Sequence, residues 1–424
     1  MSAMIPACAE LLSAVVPQAV ANSTARRQKP RIGASRYAIT PHIAHINIDG
    51  FFAAVEQAQR PRFQGKPLLV GQRRVISASY EAKLLGITTG MSIEQARALC
   101  SNAVVLAGNY ARYAEYAERL FAILKTFTPA VDPDAQLGFY FNFFGSALLD
   151  CDFPDTLRRV QLEILKQTGL SVSIGAAKTK VAAAAASRFE RPRGLRILAP
   201  GTEADFLATL PVECLHGNGA IDTASLRKRG ICSVAELRRV PFFSLQSAYG
   251  DVLGRQIWHN ARGLDHREIP RGSLARSLSR EAYIEGGTID IHQLNALAEF
   301  LCARISIALC DSRRSARAIG VRIRYADQFC ASQSFRLPTA TGDSRELLRS
   351  AVSLLQLLFT RPDVVHALTV SVNSVSWTSS DCHLCARPRA KSMLKLGRAS
   401  LFPCQPFPFR KAAIGLKAIP YSAS

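Results

Sequence analysis

Acidic side chains are scarce in this sequence: 32 Asp and Glu stand against 53 Lys and Arg, giving a formal net charge of +21 over 424 residues. A globular chain this basic is expected to meet a polyanion, and nucleic acid ranks ahead of anionic membrane because no basic amphipathic anchor accompanies the charge. No uninterrupted apolar run of about 18 residues is evident, so a membrane span is not expected. Cys382-His383-Leu384-Cys385 has metal-like spacing, but a second C-x-x-C is lacking and Cys404 alone makes a poor fourth ligand, so no structural zinc is expected. The 11 cysteines follow no framework spacing and read as buried or free thiols of a reducing compartment. The apolar run Leu11 to Val16 has no basic residue ahead of it, follows Glu10 and stops at Pro17, so residues 1–40 read as a flexible leader, basic at Arg26, Arg27, Lys29 and Arg31, rather than an export signal.

What is present begins with His45 to Glu56, HINIDGFFAAVE. Ile46 and Ile48 alternate with Asn47 and Asp49, a period of two that places both polar groups on one strand face before Phe51 and Phe52 open an apolar helix. Such a strand end suits a metal or phosphate site. Next come two short strands, around Leu68 and Ile76, and a helix that opens with Tyr80-Glu81-Ala82-Lys83 and ends at Gly86. Tyr80 and Lys83 on adjacent helical turns could grip phosphate. A second helix over 91–100 has Ser92 as its cap, and a long helix from Tyr110 to Phe127 stops before Pro129. The aromatic run from Phe139 to Phe144 predicts a thickly packed strand, and Lys180 sits where a strand hands over to a helix, a fair place for a phosphate ligand.

These motifs, in this order, resemble those of the Y-family (translesion, DinB/UmuC-type) DNA polymerases. That family opens with a D-x-D pair, two aromatics and a helix ending V-E, continues with Y-E-A-R followed by G-(I/V)-x-x-x-M, and carries S-I-G-x-A-x-N-K ahead of another helix. The resemblance covers about 45–376. It implies a multidomain α+β fold with right-hand architecture: palm at 41–58 and 115–202, small fingers at 59–114, helical thumb with a helix-hairpin-helix at 203–272, and little finger at 273–377. Residues 378–424 are expected to form a disordered tail.

Site residues carry over position by position. Phe52 falls on the aromatic that excludes a ribose 2′-OH, and Tyr80, Lys83 and Lys180 fall on the residues that hold the incoming triphosphate. Lys83 replaces an arginine and loses its bidentate fork. The resemblance further implies DNA contacts through Gly217, Gly219 and Lys228 of the hairpin motif and through Arg313, Arg314, Arg317, Arg322, Arg324 and Arg336 of the little finger. Leu401-Phe402 is similar to the end of the peptide with which bacterial members bind the sliding clamp, although its leading Gln is absent.

The departures fall on the chemistry. In the family the first acid of D-x-D and an adjacent D-E pair bind two magnesium ions; here, aligned without gaps, those positions are Asn47, Leu137 and Gly138. Two-metal phosphoryl transfer needs carboxylates to hold both ions, and this set offers one neutral carbonyl oxygen. No cofactor is therefore expected. The reading is a degenerate homologue, similar to the ImuB type that accompanies an active polymerase, binding primer–template DNA in damage tolerance with the sliding clamp and an active polymerase as candidate partners, in a bacterial cytoplasm at the nucleoid. The alternative is an active low-fidelity polymerase that holds Mg²⁺ with displaced acids, Asp49, Asp132 or Asp134. Bringing Asp134 into place needs a register slip of three residues, which would turn every alternate side chain to the wrong face.

Overall fold

The computed structural model describes residues 43–377, leaving out 136, 143–152, 216–222, 270–276, 328, 362 and 374. The chain enters through β1 (Ile43–Asn47) and α1 (Phe51–Gln59). It departs for a small unit made of β2 (Leu68–Val70), β3 (Ser77–Ala78), α2 (Tyr80–Leu84), α3 (Ile93–Leu99) and β4 (Val104–Leu106). It returns along α4 (Tyr110–Phe127), then β5 (Ala130–Pro133), β6 (Phe139–Asn142), α5 (Phe153–Thr168), β7 (Ser173–Ala177), α6 (Lys180–Phe189) and β8 (Leu195–Ile197). The palm sheet has the order β5-β6-β1-β7-β8 and the fingers sheet β3-β2-β4.

Local chemistry explains these elements. Ser92 and Gln95 form a reciprocal capping box on α3, and Ser79 caps α2 by accepting from the Ala82 amide. Along α4, Tyr113, Ala117, Leu120 and Leu124 recur at helical spacing and are buried, while Asn109 caps the helix through the Arg112 amide. The helix is continuous through 114–115, the position expected for the fingers-to-palm boundary. The expected aromatic strand divides its rings: Phe139 and Phe141 enter the core shared with α4 and α5, whereas Tyr140 turns to the opposite face beside Ala130 and Ala184.

Five short α-helices follow among the described residues: α7 (Glu203–Ala208), α8 (Thr223–Lys228), α9 (Val234–Arg239), α10 (Phe242–Tyr249) and α11 (Asp251–Ala261). The last domain comprises β9 (Ser277–Thr288), α12 (Ile291–Asp311), β10 (Arg314–Tyr325), β11 (Cys330–Thr341), α13 (Ser344–Leu358), β12 (Val365–Asn373) and the short β13 (Ser376–Trp377). Its main sheet runs β11-β10-β12-β9, antiparallel throughout. Along β10, Ile319, Val321, Ile323 and Tyr325 face the core while Arg322 is exposed, the alternation a sheet covered on one face requires. Among the described residues one helix, α12, is long and apolar enough to cross a membrane by length and composition, although no membrane span is expected from the sequence. It is mostly buried inside the protein and carries the buried Arg304, features of a core helix. Among the described residues all cysteines are free thiols.

Candidate functional site

The site lies where β1 turns into α1. The strand ends at Asn47, so Asp49 belongs to the turn rather than to the strand face the alternation suggested. Gly50 makes this turn in the left-handed region, φ 53°, and a Cβ there would collide with the Ala78 carbonyl of β3; only glycine lets the fingers pack so closely on the palm. Asp49 is thereby held near α2. Its Oδ1 accepts from the Arg191 guanidinium at 2.7 Å and lies 3.5 Å from the Lys83 ammonium, and its side chain keeps only 12 % of its exposure. Arg191 is anchored in turn by its Nε–H donating to the Arg188 carbonyl at 2.9 Å. Nothing in the spacing pointed to Arg191; the only signal was the basic run that follows α6.

The turn between β5 and β6 holds the positions of the expected acid pair. The Asp134 amide donates to the Gly138 carbonyl at 2.9 Å and the Leu137 amide to the Asp134 carbonyl at 3.2 Å, with Leu137 itself at φ 67°. A Cβ at Gly138 would strike the Ile46 carbonyl and come within 2.7 Å of the His45 Nε2. The β1–β6 ladder pairs Ile46 with Phe139 and His45 with Tyr140. Asp134 is instead buried. It accepts from His45 Nε2 at 3.2 Å with Arg188 at 3.7 Å, and His45 Nδ1 meets the Ser187 hydroxyl at 2.8 Å. Burial pushes the His45 pKa below its ordinary value, which favours the neutral ring, and the Ser187 hydroxyl beside Nδ1 donates to the Ala184 carbonyl at 2.8 Å. Burial works against the Asp134 carboxylate, yet the His45 hydrogen bond and the neighbouring Arg188 and Arg267 charges together hold its pKa below the usual value.

Asp132 is likewise taken. Lys180 donates to it at 2.8 Å and to the Glu268 carbonyl at 2.9 Å, with its ammonium over the Tyr140 ring. Lys180 is 4 % exposed. Of the residues expected on the nucleotide side, Lys83 shares Asp49 with Arg191, Lys180 is in the ion pair with Asp132, and Tyr80 stands half-buried at the start of α2. Phe52 is not open to a ligand: 2 % exposed, it stacks on Tyr113 with centroids 4.8 Å apart and meets the edges of Tyr110 and Phe300.

Whether two magnesium ions could be held follows from this donor set. Asn47 offers a carboxamide whose Nδ2 is buried without a hydrogen-bond partner among the described residues, Leu137 offers no side-chain donor atom, and the space beside Gly138 is filled by the Ile46 carbonyl and the His45 ring. The three displaced acids each face a different set of cations. Among the described residues no three His, Cys, Asp or Glu side chains gather as a metal site would need. The residues present do not fit a magnesium pair.

On the little finger the register places Arg322, Arg324 and Arg336 on one sheet face with Ser332, Ser334, Thr369 and Ser371. Arg322 and Arg336 are exposed, while Arg324 is drawn into a 2.8 Å ion pair with Glu281. Arg313 and Arg314 lie where β10 begins and Arg317 at its bulge, away from that face. Lys228 is exposed at the end of α8; Gly217, Gly219, Leu401, Phe402 and the Cys382–Cys385 cluster lie outside the described residues.

The fold defines a right-hand polymerase-type molecule, and comparison narrows it. Residues 46–188 match the impB/mucB/samB family and residues 275–381 its C-terminal domain. The chain is 32% identical over 318 residues to a DNA polymerase IV of Dehalococcoides mccartyi, covering 74% of this chain and 81% of the relative. It is 28% identical over 350 residues to DNA polymerase IV of Streptococcus pyogenes, covering 81% and 96%. The chain belongs to the Y-family DNA polymerases. Among solved structures, DinB from Sulfolobus solfataricus and the insertion ternary complex of Dbh DNA polymerase each superpose with a TM-score of 0.53, at 21% and 20% identity, covering 79% of this chain and 99% of theirs.

Proposed function

We propose that this Y-family homologue binds primer–template DNA without catalysing nucleotidyl transfer, and serves as a DNA-binding or scaffolding partner of an active polymerase in damage tolerance. The observation that carries this reading is the fate of Asp49. The one acid retained from the opening motif, which an active polymerase using displaced acids would need as a metal ligand, is already paired with Arg191 and Lys83. Loss of charge at Asn47, Leu137 and Gly138 supports the same reading, as does the diversion of Lys180 to Asp132.

DNA binding is supported by the net charge of +21, by the exposed Arg322 and Arg336 on a hydroxyl-rich sheet face, and by solved relatives described as ternary and binary complexes of Dbh DNA polymerase. In this role the protein grips backbone phosphates and leaves the reaction to its partner. Binding is then governed by counterion release, so affinity falls steeply with salt. The test is binding of a fluorescent primer–template at rising salt alongside primer extension. Salt-sensitive binding without extension supports the reading; salt-insensitive or undetectable binding, or extension by the purified chain, overturns it.

A further inference from the structure

The little finger is fastened to the palm over the turn that would have carried the acid pair. Helix α12 lies along α4. Arg304 on α12 donates through Nε to Glu118 on α4 at 2.8 Å, with the two side chains 1 % and 7 % exposed. Arg280 on β9 stands 4.0 Å from the same carboxylate, and burial together with Arg304 brings its pKa down to about 10, leaving it charged at neutral pH. The Arg304 guanidinium also covers Phe139 of β6 and Phe300 of its own helix. Phe300 closes over the palm aromatics, its centroid 5.2 Å from Phe52 and 6.3 Å from Phe51.

A backbone bond completes the contact. The Tyr283 amide of β9 donates to the Ala135 carbonyl at 2.9 Å, and Ala135 sits in the turn between β5 and β6. Strands β5 and β9 are each the edge of their own sheet. An edge donor is thus satisfied by the other domain rather than by water. Ion pair, aromatic lid and edge bond come from different parts of the little finger and converge on one region of the palm.

We propose that Glu118, Phe52 and the Ala135 carbonyl on the palm, with Arg304, Phe300 and the Tyr283 amide on the little finger, form an intramolecular clasp. The clasp keeps Phe52 and the β5–β6 turn covered, so any nucleotide or primer terminus approaching Phe52 must first open it. The outer face bearing Arg322 and Arg336 stays exposed while the clasp is closed, which separates gripping DNA from reaching the cleft. The buried Glu118–Arg304 pair sets the orientation, because a misregistered interface would leave both charges unpaired in an apolar setting.

The test uses the full chain without DNA, so it stands apart from the DNA-binding reading. Amide hydrogen exchange in the unmodified protein should show Tyr283 protected by on the order of a hundredfold or more relative to an unpaired edge amide. Small-angle scattering should then show a larger maximum dimension for Phe300→Ala, which removes the aromatic lid, and for Tyr283→Pro, which deletes the outward N–H on an edge strand where proline is tolerated. The second variant answers the question if the first does not fold. A Tyr283 amide exchanging like an exposed one, or scattering unchanged in the folded variants, would overturn the clasp.

Discussion

Arg191 and Asp49, 142 residues apart in sequence, meet at 2.7 Å at the mouth of the strand-to-helix turn. The pair ties the segment after α6 to the end of β1, and Lys83 joins it from the fingers. Arg191 is 36 % exposed on its side chain, so solvent screens the pair and its worth to stability is small, about 0–1 kcal/mol. Its consequence is electrostatic: the retained acid already has its counter-charge, and a divalent cation arriving there meets two resident positive groups.

Gly138 marks a loss that a single substitution does not reverse. A Cβ there meets the Ile46 carbonyl, so Gly138→Ala should destabilise the protein by about 1–3 kcal/mol or more, measured by urea unfolding. Gly138→Glu should cost at least as much. Restoring acids at 47, 137 and 138 together is therefore expected to weaken the fold before it restores a metal site. A triple variant as stable as the unmodified chain would contradict this packing.

Acid should weaken the fold through His45. Its folded pKa lies below the ordinary 6.5, so below that pH the unfolded chain binds the proton more tightly and stability falls. Above 6.5 the contribution is fully present; it is lost as pH descends toward the folded value. Asp134, also held below its ordinary 3.8, acts in the same direction at lower pH. Urea midpoints between pH 7 and pH 5 should decline in the unmodified protein and decline less in His45→Gln. Parallel slopes in the two proteins would count against the assignment.

Buried and exposed ion pairs should behave differently. Glu118→Gln leaves Arg304 and Arg280 without their shared carboxylate in the domain contact and should cost about 3–5 kcal/mol. Glu281→Gln, at a site where the carboxylate is 36 % exposed, should cost no more than about 1 kcal/mol after screening. Thermal unfolding of the two variants side by side checks the contrast, and equal losses would contradict the burial argument.

Arg322 and Arg336 should each carry part of the salt dependence. If each neutralises one phosphate, Arg322→Ala and Arg336→Ala lower the slope of log affinity against log salt by about 1 apiece. Arg324→Ala should change it less, because Glu281 already holds that side chain. Fluorescence anisotropy at several salt concentrations reads all three slopes.

Much of this was legible in the sequence because it is local. The alternation at Ile46 and Asn47, the cap at Ser92, and the extent of α4 each depend on neighbours within a few residues. The replaced positions at 47, 137 and 138 were also visible, since they rest on order and spacing. What was hidden depends on distant partners. Neither the Arg191–Asp49 pair nor the Arg304–Glu118 pair, 186 residues apart, leaves a periodic trace. Lys180 looked like a phosphate ligand because a lysine at a strand-to-helix junction usually can be one, and only the fold brings Asp132 to it. Phe52 was placed on the nucleotide side by motif, while its burial under Phe300 follows from the little finger's position.

On the proposed function this chain binds DNA without extending it. The most direct measurement is primer extension by the purified protein with Mg²⁺ and with Mn²⁺, on intact and abasic templates, with binding recorded in the same samples. The expected result is a bound primer–template that is not lengthened with either metal. Extension that disappears in Asp49→Ala or Asp134→Ala would contradict it, and would mean that an acid described here as paired with protein cations is free to hold metal after all.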